Sequence, residues 1–477
     1  MCGINGVFHY SNNTKLVNLD EVREVRDAMT PRGPDSLGYW SSYSEKVAFG
    51  HRRLAIVDLS DAGHQPMVNA DANLSIVFNG EIYNHNELRD DLISEGFFFK
   101  SGSDTEVLIA LYQRYGLKMF DKLRGMFAVA IWNEVAKQLV LARDPLGIKP
   151  LYFSSDSESF RFASQVKALL RSGKCDLTPE PAGHVGFFTW GHVPEPFTLF
   201  KGVRALEAGS YLVVKETGEQ LKQIYFSFSD QYKKIKNLVE DKKVTSDDLN
   251  FSDVLIKSVD LHTSADVDVG VFLSGGRDSI TLAGIASGLK RYSGSRKLKT
   301  ITLGFEEFAD TPDDEAPDAC RVAQQIGSEH SVKIITQDDF NAHYDKFILS
   351  MDQPTIDGIN TYFVSKAAKE AGLKVALSGV GADEFFGGYP SFAKVPRIIA
   401  TFKFLRYFPR LRTIMRKLLS SLPGMKNKQK FAALFEYGFS HEGAYLLNRG
   451  LFMPWEMTEI FDKDFISLGF RDLSTIT

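Results

Sequence analysis

Chemistry in this chain starts at its second residue. MCGINGVF puts Cys2 directly behind the initiator Met1. A cysteine is a strong nucleophile only as thiolate, so a base must take its proton. With Met1 removed, Cys2 carries a free α-amino group that titrates near ~8 and is partly neutral at cellular pH. Thiol and base then share one residue. A small second residue taken alone is more often incidental than catalytic. An acyl-transferring thiol also needs oxyanion donors and groups that hold the substrate's ends. Asn79 and Gly80, in VFNGEIYNH, offer a side-chain amide and a closely approachable backbone N–H. The same pair is also a strong hairpin-turn signal. Arg53, in GHRRLAIVD, can clamp a carboxylate bidentately. Asp104, in SGSDTEV, can receive an ammonium or cap the helix that follows.

A second centre is spelled by LSGGRDS, residues 273–279, behind an apolar strand and ahead of a helix. The Gly275–Gly276 turn and the helix N-terminus together make a phosphate cradle. Ser274 and Ser279 add hydroxyls, and Asp278 suits a Mg²⁺ that bridges phosphates. The stretch is neither GxxxxGK[ST] nor GxGxxG, and Phe272 excludes a GxSxG elbow. A plain strand–helix turn is the alternative. LSGVGADEFFGGY, at 377–389, ends a later strand and brings Asp383. Strand ends of an open parallel sheet converge on one crevice, which would bring Asp278 and Asp383 together.

These residues need a scaffold. A chain of 477 residues is long for one core, so two domains are expected. The net charge of -4 gives no reason to expect nucleic acid. Three cysteines, Cys2, Cys175 and Cys320, form neither a CxxC pair nor a zinc-like cluster, which fits a reducing cytoplasm. No signal peptide or membrane-length apolar run is visible. In the first two hundred residues, short strands such as VAFGHRRLAIVDL, LSIVFNGEIYN, MFAVAIWN and QLVLARDPL alternate with turn residues. NLDEVREVRDAM, HNELRDDLISEG and DTEVLIALYQRYG read as helices, giving an α+β domain. The polar segment near 228–250 reads as a linker or mobile surface segment. Beyond it strands and helices alternate, which predicts a parallel sheet with helices on both faces. Residues 395–430 are basic and aromatic. They read as helices with solvent-facing cations in preference to a membrane or acidic-partner surface. The expected division is 2–212, a connection 213–250, and 251–477.

MCGINGVF, RGPD, HRRLAIVD, NGEIYNH, SGSDTEV, GMFAVAIWN and ARDPLGIKPLY occur in this order. The series resembles the glutamine amidotransferase domain of the asparagine synthetase family, an N-terminal-nucleophile hydrolase, over roughly residues 2–210. SGGxDS and the later SGxGxDE loop resemble the family's ATP-adenylating domain. The resemblance implies that Cys2 attacks the glutamine side-chain amide, with Asn79 and Gly80 as oxyanion hole. It implies that Arg53 holds the α-carboxylate, that Glu81 and Asp104 hold the ammonium, and that Leu54, Ile56 and Val57 complete the glutamine site. It implies ATP binding by Leu273, Ser274, Gly275, Gly276, Asp278, Ser279, Leu303, Ser378, Gly379 and Val380, with Mg²⁺ on Asp278 and Asp383. Aspartate, activated as an acyl-adenylate, would take ammonia to give asparagine, AMP and pyrophosphate. Since free ammonia is lost to water as ammonium, an internal apolar passage is expected. A homodimer is a further family expectation.

Several positions depart from the family pattern. Gln165 stands where Glu is usual, Arg277 where an aliphatic residue is usual, and Val380 where biosynthetic members carry Glu. The chain ends at FRDLSTIT without matching the family's Arg- and Lys-bearing C-terminal helices. A shortened second domain is therefore expected. Two other readings stand beside asparagine synthesis. One is amidation of a sugar uronate or other carboxylate in cell-surface polysaccharide synthesis. The other is a regulatory partner that keeps only glutaminase or nucleotide binding.

Overall fold

The computed structural model describes residues 1–12, 14–241, 250–292, 296–420 and 429–474. Its first domain stacks two six-stranded antiparallel sheets. One has the order β10-β8-β9-β1-β3-β2, the other β12-β11-β7-β6-β5-β4. The strands are β1 Gly3–His9, β2 Ser36–Ser41, β3 Val47–Arg53, β4 Met67–Asn69, β5 Leu74–Ile82 and β6 Gly125–Asn133. They continue as β7 Gln138–Arg143, β8 Tyr152–Ser155, β9 Ser159–Ala163, β10 Arg204–Ala205, β11 Ser210–Lys215 and β12 Gln220–Ile224. The alternation of apolar residues along these strands fills the space between the sheets. Phe8, Phe49, Trp132, Phe160 and Phe162 lie there fully buried. Helix Asp104–Tyr115 covers the outer face of the second sheet, with Val107, Leu108 and Leu111 in that core. Helix Leu19–Ala28, capped by Asn18, packs against the first sheet.

Five local expectations change. The strand in VAFGHRRLAIVDL stops at Arg53, and LAIVDL is a loop. Asn79 and Gly80 lie inside β5, paired to Ala128 and Phe127, and so make no hairpin turn. The helix after SGS is capped by Ser103, whose hydroxyl accepts from Thr105 N–H, and Asp104 is its first residue. The polar segment holds an exposed helix, Phe228–Glu240, in place of a plain linker, while 242–249 lie outside the described residues. Strand β11 also crosses position 212 and β12 follows it, so the second sheet runs on to Ile224.

The second domain is built on a parallel sheet, β13 Val269–Phe272, β14 Lys299–Phe305, β15 Glu329–Ile335 and β16 Val375–Leu377. Its order is β15-β14-β13-β16. Connections after β13 run one way and the last strand returns to the other side of β13. The reversal opens a crevice at the carboxyl ends of β13 and β16, where ligands bind in such sheets. Helices Arg277–Ser287 and Ala316–Ile326 bury Ala283, Ala286, Ala319 and Ala323 against this sheet. The basic stretch 395–430 contains helices Ser391–Phe402 and Pro409–Ser420, with Arg412 stacked over Phe439, and 421–428 lie outside the described residues. No helix among the described residues is long and apolar enough to cross a membrane. The domains dock through Asp352, whose carboxylate accepts the N–H groups of Val166 (2.8 Å) and Lys167 (3.0 Å). The Lys167 ammonium in turn donates to the Leu349 and Ser350 carbonyls.

Candidate active site

The β1–β3 register sets Gly3 opposite Arg52, so Cys2 arrives beside Arg53 where both strands end. Leu54 N–H donates to Cys2 Sγ at 3.4 Å, and the thiol reaches Leu54 O at 3.7 Å. Arg32 Nε, in RGPD, donates to Cys2 O at 2.9 Å. The facing wall is β5. Its partner β4 covers only Leu74–Ile76, which leaves the rest of that edge without a strand. Along it Phe78 N–H donates to Gln65 Oε1 (2.6 Å) and Ile82 N–H to Asp104 Oδ2 (3.0 Å). Backbone N–H groups two residues apart share an edge, so Gly80 N–H faces the same way, between these two. A Cβ at Gly80 would lie 2.3 Å from Met126 O, so only glycine fits.

All nine residues expected at the first centre bound one small cavity of ≈ 50 Å³: Cys2, Arg53, Leu54, Ile56, Val57, Asn79, Gly80, Glu81 and Asp104. Lys149, Gln65, Ser103, Thr105 and Met126 line it too. The sequence motifs contain Lys149 and Arg32, in GIKPLY and RGPD, but nothing local shows that they approach Cys2.

The cavity is polar and unsatisfied. Both amide atoms of Asn79 and Glu81 Oε1 are buried without a hydrogen-bond partner. Such groups are costly unless a ligand meets them. Burial pushes the Glu81 carboxyl up to about 7, helped by the charge of Asp104 and opposed by Lys149. Burial likewise raises Asp104 and the Cys2 thiol, and lowers Lys149. It pulls the terminal ammonium, here on Met1, down to about 5. Once Met1 is removed, the free amine sits on Cys2 itself, the residue that carries the thiol. The paired acids suit a ligand ammonium, which would supply the missing positive charge. Arg53 departs from the free clamp expected of it. Its guanidinium donates to the carbonyls of Ser60 (3.0 Å), Val57 (3.4 Å) and Asp58. A ligand carboxylate would have to trade for one of these bonds.

The glycine-bearing loops at 273–279 and 377–389 meet at the carboxyl ends of β13 and β16. Ser274 N–H donates to Ser279 Oγ (3.0 Å), and Gly276 N–H to Ser274 Oγ (3.1 Å). Helix Arg277–Ser287 starts with no side-chain cap, which leaves its first N–H groups for an anion. Leu273 is buried and its carbonyl accepts from Thr302 Oγ1 at 2.5 Å; Leu303 is the next residue of β14. Gly379 touches the first loop, since a Cβ there would lie 3.1 Å from Asp278 Cβ and from Ser279 N. Ser378 Oγ accepts from Val380 N–H at 3.3 Å. Asp383 lies in the short helix Ala382–Phe386 that follows Gly381 (φ +100°). The glycine loop, the open helix start and a carboxylate in each helix that follows the adjacent strands β13 and β16 fit a triphosphate. Among the described residues, no group of three or more His, Cys, Asp or Glu could hold a metal ion unaided. A cation here would need phosphate oxygens to complete its shell.

A larger cavity, ≈ 1230 Å³, lies between Thr189–Pro194 of the first domain and second-domain residues that include Ile356, Arg412, Tyr445 and Arg449. Arg449 packs on the Tyr389 ring, and Tyr389 Oη donates to Glu384, the neighbour of Asp383.

Comparison with known proteins matches both halves. Residues 1–226 match the glutamine amidotransferase domain model, and residues 250–448 match the asparagine synthase model. Asparagine synthetase [glutamine-hydrolyzing] 1 of Bacillus subtilis (strain 168) is 35% identical over 99% of this chain and 72% of its own length. A provisionally named asparagine synthetase [glutamine-hydrolyzing] 2 of Methanocaldococcus jannaschii is 32% identical over 91% of this chain and 83% of its own. Amidase chry2 of Gibberella zeae is 31% identical over 82% of this chain and 60% of its own. By these matches, and with the two sites in the order that the motifs implied, the chain belongs to the glutamine-hydrolysing asparagine synthetase family.

Proposed function

We propose that this chain is a glutamine-dependent, ATP-consuming amide ligase that converts aspartate to asparagine. One observation carries the glutaminase half: the buried, unpartnered Asn79 amide shares a cavity with the Cys2 thiol. After loss of Met1, the Cys2 amine takes the thiol proton and Sγ attacks the glutamine carboxamide. The developing oxyanion is met by Asn79 Nδ2 and Gly80 N–H. Glu81 and Asp104 hold the substrate ammonium, and Arg53 faces its carboxylate. The same amine returns its proton to the leaving ammonia. Water, activated by that amine, then cleaves the thioester to glutamate.

ATP supplies the activation that turns a carboxylate into an acyl donor. The 273–279 loop and the start of helix Arg277–Ser287 bind its phosphates, and Leu273 and Leu303 border the base. Asp278 and Asp383 would hold a Mg²⁺ that neutralises the departing pyrophosphate. Ammonia from the first site attacks the activated carboxyl, giving amide and AMP. The division of labour follows the two matched segments.

The test is an assay of purified protein with glutamine, Mg-ATP and a panel of carboxylic acids, reading glutamate, pyrophosphate and amide. Asparagine formed with stoichiometric pyrophosphate is the expected result. Pyrophosphate only with uronates would favour the second acceptor class. That class draws on Val380, an apolar residue 91% exposed at the nucleotide loop. Glutamate without any pyrophosphate would refute the ligase.

A further inference from the structure

We propose that Asp266 and Lys374 of the second domain position the loop 54–60, so that glutamine affinity is set across the domain boundary. The inference rests on reading the Cys2 cavity as the glutamine site.

Leu54, Ile56 and Val57 line that cavity, and their backbone is held from three directions. Leu54 is bonded to Cys2 Sγ through both N–H and C=O. Ala55 N–H donates to Asp35 Oδ2 (2.9 Å), the oxygen that also receives Lys374 Nζ (2.7 Å). Asp266 N–H donates to Ile56 O (3.0 Å), and Asp266 Oδ2 accepts from Asp58 N–H (2.8 Å). One second-domain residue thereby grips both sides of Val57. Between these bonds Asp58 keeps φ at +52°, a left-handed conformation that non-glycine residues hold only when their surroundings fix it. The Asp58 carboxylate adds bonds to Ser60 and Gly102, but these lie on its own domain.

Both gripping residues lie ahead of a strand that ends at one of the glycine-bearing loops. Asp266 precedes β13, which leads to the 273–279 loop, and Lys374 directly precedes β16, which leads to Ser378 and Gly379. At about 3.3 Å of rise per residue, Asp266 and Leu273 stand at most about 23 Å apart. Two strands of one sheet therefore tie the loop that shapes the glutamine cavity to the loops that cradle phosphate. The Asp266 bonds are at the surface, so each contributes modestly.

The test is steady-state glutaminase kinetics on the full chain, measured as glutamate release. Asp266→Ala should raise the glutamine KM by about three- to tenfold and leave kcat within about twofold. Asp266→Asn keeps an oxygen that accepts from Asp58 N–H and should return KM close to the unmodified value. Lys374→Met, which frees Asp35, should raise KM as well and carries the test if Asp266→Ala fails to fold. An unchanged KM in Asp266→Ala would overturn the inference, as would equal damage from Ala and Asn. A fall in kcat with KM intact would overturn it too. Absence of glutaminase activity from the unmodified chain would instead overturn the assignment of the cavity, and this inference with it.

Discussion

Replacing Glu81 with glutamine should make the ligand-free protein more stable at neutral pH and flatten its response to pH. Glu81 is 4% exposed, and one of its oxygens has no partner. Folding moves its carboxyl from 4.5 to about 7, mainly because burial penalises the charge. Between those values the folded protein holds a proton that the unfolded chain releases. Stability is thus fully retained below 4.5 and lost as pH rises towards 7. That change, from 4.5 to about 7, corresponds to about 3 kcal/mol at neutral pH. Other buried groups also contribute to the pH dependence. Asp352 and Asp104 are also raised, and buried His51 is depressed to about 3, which acts in the opposite direction. The quantity to measure is therefore the difference between Glu81→Gln and the unmodified protein. Urea unfolding of both, repeated from about pH 4.5 to about pH 7.5, should show that difference growing to about 3 kcal/mol with pH. Parallel profiles would refute the burial argument. Bound glutamine should reverse the effect, because its ammonium favours the carboxylate. The glutamine KM should accordingly fall as pH rises through about 7 in the unmodified protein, and much less so in the variant.

Three further outcomes follow from the sites. Cys2→Ala should abolish glutaminase activity, and intact mass should show the active protein shorter by its initiator methionine; glutamine hydrolysis surviving in the variant would exclude Cys2 as nucleophile. Gly80→Ala forces a methyl to 2.3 Å from Met126 O and displaces the proposed oxyanion donor, so kcat should fall by about 10²–10³-fold, read as glutamate release. Asp278→Asn and Asp383→Asn should each weaken Mg-ATP-dependent pyrophosphate formation and leave glutamate release intact, which separates the two sites.

Much of this chemistry is readable along the chain because it is local. Cys2, the glycine loop at 273–279 and the element types around them depend on neighbours a few residues away, where propensity and periodicity operate. Asn79–Gly80 shows where local reading fails. The dipeptide signals a turn, yet Ala128 and Phe127 pair with it and hold it in a strand. A paired partner some fifty residues downstream outweighs a two-residue preference. Gly80 acquires its role only because β4 stops short and leaves that edge open.

What tertiary structure alone decided are the relations between distant segments. Lys149 and Arg32 reach Cys2, and Gln65 buttresses β5, because separate strands end at one place. Asp266 reaches the 54–60 loop, and Lys374 reaches Asp35 beside it, because the second domain presents the amino ends of β13 and β16 to them. The residues themselves therefore settle which groups can react. Burial and the meeting of strand ends settle their charge, their partners and what each one faces, since these depend on atoms far away in sequence.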